Sequence, residues 1–287
     1  MTTSSARDKT EMEINMKTAI CLHGLARGST TKADGAYKER FATLLSKIGD
    51  ADVFIHSWDI DISEELVEIF NPISYKIEHQ KNFSEELDKL KHMNKSNNTW
   101  ENQYPLFNIL SFLYSRKYSV DLKRQHEIEN KIKYDCVLIC RFDVGFHNSG
   151  RNKTSYLDFN LNLDMSKVYQ AYWNQTNAGS SDHWYYSNSD NIDTISTIYD
   201  KMFEYLQPNS NYTYLCKTGW PISNKHDKFS NELLKEDRST DLAIYVSNDT
   251  VLINPHCLYK YHLMVNGLWD NGKSVFLNKD LFCSDYL

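Results

Sequence analysis

The order of apolar and polar residues predicts that strands and helices alternate at the start of the chain. Short apolar runs at Lys17–Leu22 and Asp52–His56 each lead into polar residues, which is typical of buried strands followed by loops. Between them, residues 34–48 carry apolar side chains at spacings of three and four, which predicts a helix with one packed face. Those side chains are Tyr37, Phe41, Leu44, Leu45 and Ile48. A strand, a helix and a strand in this order predict a right-handed βαβ unit and a parallel sheet.

The rest of the chain continues this alternation. Further helices are predicted at residues 63–70, 100–131, 192–206 and 231–235, and further strands at 134–140, 167–172, 242–246 and 251–253. Residues 71–99 are polar and rich in Lys and Asn, which predicts a surface excursion near a site. Residues 1–15 are expected to be a flexible leader. No repeat or proline-rich linker divides the remainder, so we expect a single α/β domain over 16–287, with a central, mostly parallel sheet flanked by helices.

Composition narrows the class of protein. The 287 residues include 38 acidic and 32 basic side chains, a formal net charge of −6, which argues against general binding to nucleic acid. Hydrophobic residues make up 41%, enough for a buried core. No apolar run approaches the roughly 18–20 residues of a membrane span, and none resembles the core of a signal peptide. The six cysteines form no CxxC pair, which favours reduced thiols in a cytoplasmic protein.

Candidate chemistry collects where three predicted strands end. The groups are His23, Gly24 and Arg27 after the first strand, His56, Asp59 and Asp61 after the second, and Arg141 and Asp143 after the third. Because the carboxyl ends of parallel strands meet at one edge of a sheet, we expect these groups to share a rim. Carboxylates and arginines together suit a divalent cation that holds a diphosphate, and Arg27 beside two glycines suits a phosphate clamp. No Walker loop is present.

Each of these clusters also has a structural interpretation. Asp59 and Asp61 could cap a following helix, and Arg141 with Asp143 could form an ion pair at a strand end.

A fourth candidate follows the small-residue loop 174–181. There a carboxylate, an imidazole and an indole stand side by side as Asp182, His183 and Trp184. This order suits an acceptor pocket in which Trp184 stacks on a sugar and Asp182 or His183 takes a hydroxyl proton. The alternative is that Asp182 caps a helix.

Four segments carry a resemblance to a known family. They are Ile20–Arg27, Asp52–Asp59, Tyr134–Asp143 and Asp182–Tyr186. In order and spacing they resemble glycosyltransferases of surface-polysaccharide clusters, which occur in bacteria and in large algal viruses that encode glycan enzymes. The resemblance covers roughly residues 17–205.

The resemblance implies a GT-A-like, Rossmann-like transferase. Such an enzyme would move a hexose or xylose from a nucleotide-diphosphate donor, expected to be a UDP-sugar, to a hydroxyl of a glycan acceptor with inversion. Asp143 would hold Mn²⁺ or Mg²⁺, with Arg141 sharing the charge neutralisation because Arg141–Asp143 offers one carboxylate rather than two.

The same resemblance distributes the remaining roles. Donor binding would fall to His23, Gly24, Arg27, Asp59 and Asp61. Asp182 would be the catalytic base, with His183 beside it, and Trp184 and Tyr185 would bind the acceptor. A viral enzyme of this type would work in the host cytoplasm.

Rival functions make different demands on the sequence. An α/β-hydrolase needs a G-x-S-x-G elbow, which the chain lacks. A metal-dependent hydrolase would use His23, His56, His147 and His183, but neither HExxH nor a paired-His spacing occurs. A non-catalytic carbohydrate-binding protein would explain the 19 Tyr, 13 Phe and 6 Trp residues. Nucleotide binding separates that alternative from a transferase.

Overall fold

The computed structural model describes ten stretches of the chain. They are residues 16–26, 41–42, 44–46, 48–91, 106–142, 159–170, 180, 182–218, 255–269 and 273–276. Within them the fold is α/β, with seven strands in one mixed sheet and helices packed on both of its faces.

The sheet is mostly parallel. Its strands are β1 (Thr18–Gly24), β2 (Asp52–Ser57), β3 (Ser74–Ile77), β4 (Cys136–Arg141), β5 (Val168–Gln170), β6 (Trp184–Ser187) and β7 (Ser274–Phe276). Their order is β3-β2-β1-β4-β6-β5-β7. Neighbouring strands pair in parallel except β6, which runs antiparallel to both β4 and β5. The expected α/β class and mostly parallel sheet are therefore confirmed.

Seven helices and one 3-10 turn are bounded within the described residues. They are the turn Ile60–Ile62 and the helices α1 (Ser63–Phe70), α2 (Ser84–Lys89), α3 (Leu106–Asn130), α4 (Ser189–Ser196), α5 (Ile198–Tyr205), α6 (Asn211–Thr218) and α7 (Pro255–Val265). Helical backbone also occurs at residues 41–42, 44–46 and 48. None of the helices described is both long and apolar enough to cross a bilayer.

Each central strand is apolar throughout because both of its faces are covered. In β1, Ala19 and Cys21 face a core formed with α3 to α7, while Ile20 and Leu22 face a second core that includes Leu44. Successive side chains of a strand point to opposite faces, so a continuous apolar run is what a sheet between two helical layers requires.

Most predicted elements that fall on described residues are confirmed. The strands at 17–22, 52–56 and 134–140 and the helix at 63–70 match β1, β2, β4 and α1. The predicted excursion at 71–99 is wrong in part, because β3 and α2 lie within it. The predicted helix at 192–206 is two helices, α4 and α5, and α6 follows them where no element is predicted. The elements predicted between 231 and 253 lie outside the described residues.

Helix α3 carries charged residues on the face that it packs against the sheet. Its buried apolar residues Ile109, Leu113 and Val120 lie in the core, and Lys123 and Glu127 continue that side of the helix. Lys123 is fully buried, and its ammonium group bonds Glu127 Oε2 at 2.9 Å and Asp193 Oδ1 at 2.6 Å. The cation thus joins α3 to α4 with its charge balanced.

Replacing Lys123 with Met tests this junction. The substitution removes the fully buried cation from Glu127 and Asp193 and leaves them only longer ion pairs with the more exposed Lys133 and Arg124, so we expect the free energy of unfolding to fall by about 3 kcal/mol. Lys117→Met on the same helix is the control, because the more exposed Lys117–Asp121 pair contributes less than about 1 kcal/mol. Equal losses in chemical denaturation would contradict the structural role of Lys123.

Candidate functional site

One edge of the sheet gathers polar groups from four strands. The carboxyl ends of β1, β2 and β4 meet there, and in the strand register His23 is the partner of both His56 and Arg141. Because β6 is reversed, its amino end lies at the same edge, with Trp184 paired to Cys140. We use the term rim for this edge and for the residues that immediately flank these strand ends. The rim therefore brings together the described members of the first three predicted clusters and the segment that begins with Asp182.

A buried arginine from α3 links two sides of the rim. The side chain of Arg116 has no solvent exposure. Its Nε–H donates to His23 Nε2 at 3.0 Å, and Nη2 donates to the main-chain carbonyl of Asp182. Burial and the nearby guanidinium groups of Arg116 and Arg141 hold the pKa of His23 well below its usual range. His23 is therefore a neutral acceptor whose proton lies on Nδ1.

A second hydrogen-bond chain joins β1, β2 and α3. The Gly24 N–H donates to Ser115 Oγ at 2.8 Å, and that hydroxyl lies 2.8 Å from His56 Nδ1. On the far side of the ring, His56 Nε2 lies 3.2 Å from Glu78 Oε1. Hydrogen bonds and charges from Lys76 and His56 outweigh the effect of burial and lower the pKa of Glu78, so its carboxylate accepts the Nε2–H. The Ser115 hydroxyl then donates to Nδ1.

Asp59 holds the loop that follows β1. The residue is 7% exposed, and its Oδ2 accepts a hydrogen bond from the Ala26 N–H at 2.5 Å. Asp59 stands at the start of the 3-10 turn, but its side chain does not cap that turn. Asp61 lies within the turn and is exposed. The helix-capping interpretation therefore does not describe Asp59, which ties two strand ends together.

Asp182 precedes a strand, so the alternative that it caps a helix is wrong. Its side chain is 11% exposed, and its Oδ1 lies 3.7 Å from His183 Nε2 and 3.8 Å from His256 Nδ1. Burial alone would raise its pKa, but His256, His183 and the two rim arginines together lower it. The carboxylate is therefore charged at neutral pH, and the more exposed imidazole of His183 lies beside it.

The two aromatic residues assigned to the acceptor lie in the cores. Trp184 and Tyr185 have no solvent exposure. The Trp184 ring stacks on Tyr186 at 5.7 Å, and the Tyr185 hydroxyl lies 2.9 Å from Ser180 Oγ. Neither ring presents a face to a sugar, so we correct that assignment and place both residues in the packing of the sheet. Both faces of the sheet are covered, so the aromatic side chains on either face of β6 are buried.

Two predicted site residues, Arg27 and Asp143, lie outside the described residues, as does His147. Among the residues that are described, no three His, Cys, Asp or Glu side chains lie close enough together to hold a metal ion. The carboxylate of Asp59 is already engaged with Ala26, and that of Asp182 is surrounded by cationic and imidazole groups. The described rim therefore does not supply a ligand set for Mn²⁺ or Mg²⁺.

Sequence reasoning missed Ser115, Arg116, Glu78 and His256. The signal for Arg116 was present, because it stands three residues after Leu113 and four before Val120, on the apolar side of α3. A charged residue in such a stripe indicates a buried polar contact. Glu78 was missed because β3, the parallel strand that it follows, lies in the predicted surface excursion, and His256 has no comparable signal because it reaches the rim through tertiary packing.

The burial of His56 generates a pH prediction. Burial lowers the pKa of His56 to about 4 despite the opposing effect of Glu78. Between pH 6.5 and 4 the unfolded chain therefore takes up a proton that the folded chain refuses, and stability falls as the pH falls through that window. We expect His56 to account for about 3 kcal/mol of this loss. In the His56→Gln variant, the free energy of unfolding measured with urea should fall by about 3 kcal/mol less between pH 6.5 and 4 than in the wild type. The same pH dependence in both proteins would contradict a lowered pKa of His56.

Comparison with known proteins adds no family to these observations. The chain matches no protein-family model, no curated protein and no solved structure. What the structure establishes is an α/β fold whose mostly parallel sheet brings two arginines, four histidines and the carboxylates of Glu78 and Asp182 to one rim.

Proposed function

We propose that the chain is a glycosyltransferase that moves a hexose or xylose from a UDP-sugar to a hydroxyl of a glycan acceptor. The observation that carries this proposal is the Asp182 carboxylate, which is largely buried, keeps a lowered pKa through the charges of its neighbours, Arg141 and Arg116 among them, and precedes β6 at the edge where the parallel strands β1, β2 and β4 end. Ligands of open α/β sheets bind at that edge. A mostly parallel sheet flanked by helices also agrees with the GT-A-like architecture that the resemblance implies.

The donor is proposed to bind at the β1, β2 and β4 ends. Gly24 has a φ of +96°, so the chain turns sharply there in a conformation that favours glycine. Asp59 fixes the next turn through Ala26, which leads directly into Arg27. Arg27 and Arg141 would offer guanidinium groups to the diphosphate, and paired N–H donors match phosphate oxygens. Asp61, exposed beside this loop, is proposed to contact the nucleoside.

The acceptor is proposed to bind beside Asp182. Its hydroxyl would give its proton to the Asp182 carboxylate while its oxygen bonds to the anomeric carbon of the donor. The bond from that carbon to the diphosphate oxygen breaks at the same time, and the electron pair leaves with the UDP. A carboxylate of lowered pKa holds a proton weakly, so proton transfer must accompany bond formation rather than precede it. Attack from the face opposite the leaving group inverts the anomeric centre.

The leaving diphosphate gains negative charge in this step. Arg141 is proposed to stabilise that charge, since fixed positive groups aimed at developing charge lower a barrier without reorganisation. A divalent cation at Asp143 would supply additional charge neutralisation. Asp143 is proposed as the ligand of that cation, Mn²⁺ or Mg²⁺, and the described rim offers no ligand set of its own.

The aromatic residues that the structure describes argue against a non-catalytic carbohydrate-binding protein. Such a protein needs exposed rings, but Trp58, Trp184 and Trp269 are all less than 8% exposed. The exposed tyrosines Tyr75 and Tyr214 belong to separate elements, β3 and α6. The described aromatic residues therefore mostly build the two cores and leave the rim to charged groups.

Nucleotide binding is the first test of the proposal. A ligand at 100 times its dissociation constant adds about 2.7 kcal/mol of stability, so UDP should raise the Tm by several degrees whereas glucose alone should not. Arg141→Met should weaken UDP binding about tenfold or more, because a hydrogen-bonded charge is lost. Arg124→Met, away from the rim on α3, is the matched control. No stabilisation by UDP, GDP or CMP, with or without Mn²⁺, would overturn the proposal.

Replacing Asp182 with Asn tests the base. The amide keeps the shape of the side chain but cannot accept the proton in the same way, so sugar transfer should fall by about 10²–10⁴-fold. UDP affinity should be unchanged. Asp190→Asn, whose side chain is 82% exposed on α4, is the control and should retain full activity. Transfer at the wild-type rate in Asp182→Asn would remove Asp182 from the mechanism.

A further inference from the structure

Arg116 uses only part of its hydrogen-bonding capacity. A guanidinium group has five N–H donors. Nε–H is taken by His23 and Nη2 donates to the Asp182 carbonyl, but Nη1 is buried and has no hydrogen-bond partner among the described residues. Buried polar groups are normally paired, so each exception needs a physical explanation.

The guanidinium charge of Arg116 also lacks a carboxylate partner. No carboxylate among the described residues forms an ion pair with it, and Asp182 contacts it only through its main-chain carbonyl. The faces of the group are enclosed by the rings of Phe112, Tyr185 and Tyr259, whose centroids lie 4.9, 5.4 and 4.8 Å from the guanidinium carbon. Aromatic faces attract a cation but do not accept its N–H groups as carboxylates do. A cation buried in this way costs free energy until an acceptor reaches it.

Lys123 shows that a buried cation in this chain can have carboxylate partners. It lies two turns further along the same helix, is equally buried, and contacts two carboxylates. Lys123, which joins two helices, has carboxylate partners for its charge. Arg116, which reaches the rim, has none among the described residues and keeps one nitrogen without a hydrogen bond.

A second unpaired group lies against Arg116. The Tyr259 hydroxyl on α7 is buried beside the guanidinium, which is near enough to oppose the rise that burial causes in the pKa of Tyr259, but the two groups make no hydrogen bond of acceptable geometry. Two different helices therefore present N–H and O–H groups to one place without a well-aligned acceptor among the described residues. His23 Nδ1 is also unpaired, but it lies on the opposite side of its ring from Arg116 and is not part of this cluster.

We propose that Arg116 Nη1 and Tyr259 Oη form a binding site for an anionic oxygen group, a carboxylate or a phosphate. An acceptor with lone pairs would satisfy both donors and balance the guanidinium charge.

This inference rests on the proposed function only for the identity of the ligand. Because Arg116 also holds the Asp182 carbonyl, the bound group would lie beside the proposed base. It would then be either a phosphate of the UDP-sugar or the carboxylate of an acidic sugar, such as a hexuronate. Both sources share the same recognition chemistry, and a binding experiment separates them.

The experiment measures binding of inorganic phosphate, glucuronate, glucose and UDP to four forms of the full chain by calorimetry at constant ionic strength. The forms are the wild type, Arg116→Met, Tyr259→Phe and the control Ser119→Ala, which alters a buried hydroxyl on the same helix. Thermal unfolding of the four forms is recorded in parallel. Phosphate stabilises most proteins without binding to a site, so the informative quantity is the difference between the forms in the Tm shift that phosphate causes.

We expect saturable binding of phosphate or glucuronate to the wild type and to Ser119→Ala, and no binding of glucose. Tyr259→Phe should weaken the affinity by about fivefold, the effect of one neutral hydrogen bond. Arg116→Met should abolish binding. Because Tyr259→Phe removes a single atom, it keeps the test valid if Arg116→Met does not fold. A preference for glucuronate over phosphate would assign the site to an acidic sugar, and the reverse preference would assign it to the donor phosphates.

Equal responses of the wild type and Tyr259→Phe would overturn the anion site, as would the absence of saturable binding by both anions. If UDP still bound in those cases, the transferase proposal would stand without this site. If phosphate or glucuronate bound as expected while no nucleotide did, the anion site would stand and the transferase proposal would fail.

Discussion

The arrangement of the rim depends on one buried guanidinium group. Arg116 lies near the middle of α3, and its position follows from the packing of that helix across β1 and β2. From there it bonds the end of β1 through His23 and the start of β6 through the Asp182 carbonyl. These two strands are separated by β4 in the sheet, so the arginine spans the edge at which the proposed donor and acceptor meet.

Polar burial on α3 serves two different purposes. Lys123 and its carboxylates form a balanced junction between helices, which adds specificity to the packing of α3 on α4. Ser115 and Arg116 instead reach the ends of strands and fix the conformations of His23, Gly24 and His56. A rim fixed in this way is preorganised, which is the property that electrostatic stabilisation of a leaving diphosphate requires.

The sequence was informative where a local pattern decides the structure. Continuous apolar runs predicted β1, β2 and β4, and the rule that parallel strands end at one edge predicted that His23, His56 and Arg141 would be neighbours. It was uninformative where neighbours are chosen by tertiary packing. The aromatic segment after Asp182 has the same composition whether it lines a pocket or forms a reversed strand, and the reversed strand buries Trp184 and Tyr185. Glu78 follows β3, a short strand whose polar pattern hid it, and His256 comes from a distant helix that no spacing along the chain relates to the rim.

The most direct test of the account follows the His23 ring by side-chain ¹⁵N nuclear magnetic resonance while UDP is added. The account predicts a neutral ring with its proton on Nδ1 at neutral pH, because Nε2 accepts the Arg116 hydrogen bond and burial lowers the pKa. It also predicts that the His23 signals shift until UDP saturates the site. A proton on Nε2 would contradict the Arg116 bond. Signals that do not move at saturating UDP would contradict the placement of the donor at the rim.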